Sequence, residues 1–277
     1  RLLQWFRVML ATMLSSKGGY AELNHIALNM VQTPSWMNLG LWNGEGIEDI
    51  IAQHLPSGAR EQDRRSTPTT TEQWPEGTIV QYATACEALA KLVGKVAGLS
   101  AKRVVLDVGF GRGDQLLLWR DYFGTETIIG INASANETAY CMRRYLSDGL
   151  STNNSSIQVQ VGSATALPSN LTNGVDSVIA LDCAYHFVPS RDVFFREAFR
   201  CLRPGGRLAL TDIVCAHDIE LLPPLKRLGI KLLCRLSGLA IENIRVTMAS
   251  YASKLQQVGY VTYYGRVYVF LLYFSGD

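Results

Sequence analysis

The stretch VVLDVGFGRGDQ, residues 104–115, sets glycines at 109, 111 and 113 directly behind an apolar run that carries Asp107. Deleting three side chains within five positions lets a ligand approach the backbone closely. Nucleoside triphosphates, dinucleotides and S-adenosyl-L-methionine all use glycine-rich turns after a first strand. A triphosphate loop ends in Gly-Lys-Ser/Thr, whereas Gly113 is followed by Asp114 and Gln115. A dinucleotide turn needs G-x-G-x-x-G, and here the spacing is G-x-G-x-G. Asp107 would also repel a pyrophosphate. It suits the ammonium group of a methionine moiety, met directly or through water. The turn therefore favours the sulfonium cofactor.

Chemistry on that cofactor is in-line displacement at an activated carbon, so alignment supplies much of the rate. A hydroxyl acceptor needs a base as its proton leaves, an amine only prior deprotonation, and an alkene a base after methylation. The candidate base is His186, in LDCAYHFVPSR, just past the fourth strand run, and Asp212 in LALTDIV ends the fifth. The plainer alternative is a histidine bonded to a loop carbonyl and an aspartate capping a turn. Tyr185 and Phe187 would wall the site or pack in the core, and Asp182 would serve packing or cofactor positioning. His25, His54, His217, Asp218, Gln81 and Tyr82 are weaker candidates. The six cysteines include no CxxC pair, which reads as free thiols in a reducing compartment, with neither a disulfide frame nor a metal site.

These groups need a frame. From about residue 101, short β-branched runs alternate with amphipathic stretches: RVVLDVG, ETIIGINA, SIQVQVGSA, VDSVIALDCA and RLALTDIV as strands, separated by helical segments. One of these, GDQLLLWRDYFG, presents Leu116, Leu117, Leu118 and Phe123 as its apolar face. Another, SRDVFFREAFRCLRPGG, ends at Pro204 and the Gly205–Gly206 pair. The alternation predicts an α/β fold with a mostly parallel sheet and helices on both faces. Ligands then bind outside the carboxyl ends of the strands.

Three regions follow: an N-terminal helical, cofactor-covering segment over 1–56, a mobile polar loop over 57–77, and the α/β domain over 78–277 with a lid at 216–247. The opening RLLQWFRVMLATML is too short to span a bilayer and has no signal-peptide cleavage site. It suits a helix packed on the domain, one covering a greasy substrate, or one on a membrane surface. The loop 57–77 is polar with Pro68, Pro75 and three consecutive threonines. A chain of 277 residues with 48% apolar and 18% charged residues is globular, and a net charge of +2 gives no footing for nucleic acid.

LDVGFGRGD resembles the first motif of class I S-adenosyl-L-methionine-dependent methyltransferases, and CLRPGGRLAL resembles the turn into their fifth strand. LDCAYHFVPSR is similar to the segment after strand four in the tocopherol, sterol and sugar O-methyltransferase group. WMNLGLW, residues 36–42, resembles the motif that folds over the cofactor's methionine end there. The resemblance covers about residues 36–273 and implies a Rossmann-like, seven-stranded-type sheet. It implies cofactor contacts from Asp107, Gly109, Gly111, Gly113, Gln115, Asn132, Ala133, Ser163, Ala164, Asp182, Trp36 and Asn38. His186 corresponds to a histidine implicated as base, and Asp212 to an acid that could orient it. Two departures stand out: Asn132 replaces the usual ribose-binding acid, and Ser163 replaces the acid near the adenine amino group.

The apolar N-terminal and lid segments favour a lipophilic acceptor such as a terpenoid, polyketide or quinol. O-methylation with His186 as base is expected, yielding S-adenosyl-L-homocysteine. Methylation of nitrogen or carbon and a catalytically silent cofactor-binding homologue are the alternatives. A nicotinamide-dependent oxidoreductase fits the glycine spacing less well. A cytoplasmic location is expected, with contact to a membrane periphery allowed by the apolar opening.

Overall fold

The computed structural model describes Trp36, Asn38 and residues 80–146, 156–215, 219–236, 241–260 and 267–274. The rest of the 1–56 segment, with His25 and His54, the 57–77 loop, His217, Asp218 and the side chains of Gln81 and Tyr82 lie outside the described residues.

Strand runs that are apolar on alternate and intervening positions alike belong to a sheet covered on both sides. Strands β1 (Val104–Val108), β2 (Thr127–Asn132), β3 (Ser156–Val161), β4 (Val175–Ala180), β5 (Leu202–Cys215) and β6 (Val267–Phe274) form one sheet in the order β3-β2-β1-β4-β5-β6. All five pairings are parallel. Among the described residues the sheet therefore has six strands.

Period-two alternation divides the core. Val105, Ile128, Ile179 and Ala209 face a cluster built on α1 (Val80–Ala97) and α2 (Asp114–Asp121). Leu106, Val178, Leu208 and Leu210 face the opposite cluster, with Phe194 of α4 (Arg191–Cys201) and Tyr251 of α7 (Met248–Val258). Between these lie α3 (Ala135–Cys141), which runs into a π turn at Met142–Leu146, and two helices after β5, in the segment expected to form a lid: α5 (Pro224–Leu236) and α6 (Ile241–Ile244).

Two expectations need correction. The buried face of α2 is Leu116 with Trp119, while Leu117, Leu118 and Phe123 pack only partly against the core. Residues three apart share a helix face, so Trp119 displaces its apolar neighbours from the inside. Strand β5 begins at Leu202 instead of after the Gly205–Gly206 pair, because Leu202 pairs with Val175 ahead of a register shift that resumes at Ser177 opposite Arg207. The strand order reverses between β1 and β4, and their carboxyl ends open the crevice where such sheets bind ligands.

Candidate active site

The glycine turn leaves β1 at this switch point. Gly109, Gly111 and Gly113 all have positive φ, at 77°, 56° and 96°, the left-handed region that costs glycine nothing. A Cβ on Gly109 would also stand 2.7 Å from Cys183 Sγ in the turn after β4. The Gly109 N–H donates to Ile131 O at 2.7 Å. Phe110 is buried against Gly130 of β2, where a Cβ would meet its ring at 2.8 Å. The turn is shaped by its neighbours, and its own side chains stay out of the way.

Asp107 behaves differently from a simple ligand. It is fully buried and accepts hydrogen bonds from Gln115 Nε2 at 2.8 Å to each oxygen and from Trp119 Nε1 at 2.5 Å. Burial pushes its pKa up to about 6, against the lowering effect of those donors. A carboxylate offers roughly four lone-pair directions, so about one remains for a ligand. Gln115, expected at the cofactor, has its amide N–H groups directed to Asp107. Both residues brace the turn against α2.

Asn132 also serves the turn. Its Nδ2 donates to Gly111 O at 3.2 Å and to Glu137 Oε2 at 2.9 Å. Glu137 stands at the third position of α3, where its N–H donates to the capping Ser134 Oγ at 3.3 Å. Burial raises its carboxyl pKa, opposed by Asn132 and the charge of Arg112. A carboxylate thus sits at the carboxyl end of β2, five residues past the strand's last position. Ala133 and Ser163 are exposed and Ala164 is buried just beyond the ends of β2 and β3. Trp36 and Asn38 are buried, and Asn38 exchanges bonds with α1: its Nδ2 donates to Cys86 O at 3.2 Å, and Cys86 Sγ donates to Asn38 O at 3.1 Å. This docks the 36–38 segment beside the glycine turn's core cluster.

Past β4, Asp182 is buried at φ 56°, with its N–H donating to Thr211 Oγ1 at 2.7 Å. Non-glycine residues hold such angles only where the surroundings impose them, and Asp tolerates them better than most. A short 3-10 turn, Ala184–His186, follows. The His186 ring lies on the Tyr185 ring at 4.4 Å between centroids. Burial pushes its pKa down to about 4, so the imidazole is neutral at pH 7. Tyr185 joins Ile219 and Cys234 in a cluster with Ile230 of α5, while Phe187 packs edge-on against Phe194 at 4.8 Å. Tyr185 packs toward α5 and Phe187 toward α4.

Asp212 lies elsewhere in this design. It is fully buried, paired with Arg191 Nη1 at 3.0 Å and bonded by Tyr251 O–H at 2.7 Å. These partners make its carboxylate part of a buried polar network that joins β5 to α4 and α7.

The methyltransferase domain family matches residues 106–210, the span from β1 through the glycine turn to mid-β5. The chain carries a class I, S-adenosyl-L-methionine-dependent methyltransferase domain. The chain is 32% identical over 180 residues to erythromycin 3''-O-methyltransferase of Saccharopolyspora erythraea, covering 63% of this chain and 56% of that protein. It is 34% identical over 148 residues to methyltransferase GfsG of Streptomyces halstedii, covering 53% and 51%. The chain thus spans about half the length of these relatives. The fold of the methyltransferase domain is similar to geranyl diphosphate C-methyltransferase from Streptomyces coelicolor, with a TM-score of 0.56, 14% identity, and coverage of 88% of this chain and 80% of that one.

Sequence reasoning missed three residues around the methyltransferase domain's site: Glu137, Arg191 and Asn243. For Glu137 a signal existed, since Ser134 and Glu137 have the spacing of a capping box. For Arg191 and Asn243 there was none.

Proposed function

We propose that this chain transfers a methyl group from S-adenosyl-L-methionine to a hydroxyl of a lipophilic small molecule, with His186 taking the hydroxyl proton. The observation that carries the proposal is the place of His186, partly buried in the 3-10 turn after β4 with its ring against Tyr185, which packs with α5. A base must be unprotonated at working pH; burial keeps the imidazole so, and also makes it a weaker base than an exposed histidine. As the acceptor oxygen gains the methyl group, its proton passes to a ring nitrogen of His186. The sulfonium supplies an activated carbon and a neutral thioether leaving group. The similarity to an O-methyltransferase supports oxygen as the acceptor atom.

The residues present suit this cofactor. The turn, with glycine at three of its five positions, admits the methionyl end, and the lone-pair direction left on Asp107 suits its ammonium. Trp36 Nε1 is a buried donor with no hydrogen-bond partner among the described residues, as a carboxylate ligand would require. Glu137, beside Asn132, supplies the carboxylate that ribose hydroxyls call for at the end of a second strand. Ser163, Ala164, Ala133 and Asp182 line up beyond the strand ends for the adenine and nearby groups. Asp212 acts through Arg191, at a distance from the reacting atoms.

Helix α5 supports the apolar acceptor. Leu225, Leu228 and Leu232 are 81%, 62% and 56% exposed on one face, and Lys226, Lys231 and Arg235 are exposed beside them. No acid occurs in the helix. Such a face favours contact with an anionic lipid surface, from which an apolar acceptor would be drawn. No described helix is long and apolar enough to cross a membrane.

The test is a methyl-labelled cofactor offered with lipophilic hydroxy compounds and the intact chain. A labelled O-methyl product, identified by fragmentation, is the expected result. Label on carbon or nitrogen overturns the oxygen assignment, and tight cofactor binding without transfer to any acceptor supports a silent homologue.

A further inference from the structure

We propose that Asn243 is the positioning residue of the His186 turn, tying the base's backbone to the lid segment so that base and lid move as one unit. The proposal rests on His186 being the base. Asn243 comes from α6, in the same post-β5 segment as α5, and is 1% exposed. Its two Nδ2 protons go to the carbonyls on either side of the histidine: Tyr185 O at 3.1 Å and Phe187 O at 2.8 Å. An asparagine amide has two donors, and both are spent bracketing one residue.

The other half of Asn243 faces the core. Its Oδ1 accepts the Arg191 N–H at 3.3 Å, and its backbone carbonyl accepts Arg191 Nη2 in a short contact. Arg191 is 1% exposed, pairs with Asp212 of β5 and stacks its guanidinium 5.2 Å from the centre of the Tyr251 ring. A line of buried polar contacts thus runs from β5 through Asp212, Arg191 and Asn243 to the two carbonyls flanking His186. The sheet fixes one end and the base sits at the other.

The lid reaches the same turn by apolar contact. Ile241 on α6 and Ile230 and Cys234 on α5 pack with Tyr185, whose ring carries the His186 imidazole. Any displacement of α6 breaks two hydrogen bonds to this turn and withdraws packing from Tyr185. A misplacement of about 1 Å at a reacting group can cost on the order of 10²-fold in rate, so a seat of this kind has direct leverage on turnover.

The experiment compares Asn243→Ala and Asn243→Asp with the parent in the intact chain. Asn243→Asp keeps an acceptor for Arg191 and loses both donors to the turn, so the buried arginine stays partnered. Val93→Ala in α1, a core truncation remote from this turn, controls for stability loss. Expected in both Asn243 variants are a fall in kcat of about 10²-fold, a cofactor Kd within about twofold of the parent, and a His186 imidazole titration, followed by NMR, moved upward as water reaches the ring. Turnover matching Val93→Ala at equal folded fraction, or an unmoved imidazole titration, overturns the proposal. Full turnover in His186→Ala would overturn the base assignment separately. The titration in the Asn243 variants still decides whether that residue seats the turn.

Discussion

Replacing Asp107 by asparagine tests the electrostatics of the glycine turn directly. The carboxyl pKa rises from 3.8 to about 6 in the folded protein, mainly through burial. Each pKa unit is worth about 1.36 kcal/mol, so the charged form is disfavoured by about 3 kcal/mol on folding. The sign follows from proton counts. Between about pH 4 and 6 the folded state retains a proton that the unfolded state has lost, so stability from this group is present in acid and lost as pH rises through 6. Asparagine cannot titrate. Its amide nitrogen must face a donor from Gln115 or Trp119, which costs about 1–3 kcal/mol, but that cost does not vary with pH. The difference in unfolding free energy, variant minus parent, should therefore climb by about 3 kcal/mol between pH 3.5 and 7. Urea unfolding of the apo protein, followed by tryptophan fluorescence, measures it. A difference that stays flat or falls over that range refutes the burial argument. The same substitution should weaken S-adenosyl-L-methionine binding by about 1.5–3 kcal/mol, the size of a charge-assisted hydrogen bond, read by calorimetry at pH 7.5.

Three further outcomes follow from the site. His186→Ala should lower kcat by about 10²–10⁴-fold with cofactor affinity nearly unchanged, and the parent's rate should lose its dependence on this group above about pH 5, because the imidazole titrates near 4. Its folded pKa lies below the ordinary 6.5, so its share of stability is complete above 6.5 and drains away as pH falls towards 4, opposite in sign to Asp107. Glu137→Gln should weaken the cofactor by about 1 kcal/mol and leave a 2′,3′-dideoxyribose analogue unaffected; equal losses for both would place the carboxylate elsewhere. Changing Leu225, Leu228 and Leu232 together to serine should abolish sedimentation with phosphatidylserine vesicles while preserving the unfolding midpoint, and retained binding would remove α5 from that role.

Glycine spacing, strand alternation and the histidine after strand four were legible because each depends on local chemistry. A turn that needs positive φ three times in five residues can hardly be written without glycine, and a sheet covered on both sides writes continuous apolar runs. The bonding partners of three polar residues were not legible in the same way. Asp107, Gln115 and Asp212 are polar groups near a ligand crevice, and residue type alone does not tell whether such a group faces a ligand or the protein. Their partners decide it: Trp119 lies twelve residues from Asp107, and Tyr251 lies thirty-nine from Asp212. Asn243 lies fifty-eight residues from Tyr185, in a short helix with no pattern of its own. Its importance comes from a coincidence of topology, in which the segment after β5 returns to the end of β4. Arg191 left no such trace either, since its burial is not written in the sequence and its partner acid, Asp212, lies in β5. On the proposed reading, the chain of contacts from Asp212 through Arg191 and Asn243, in place of a single carboxylate, holds the backbone of the His186 turn.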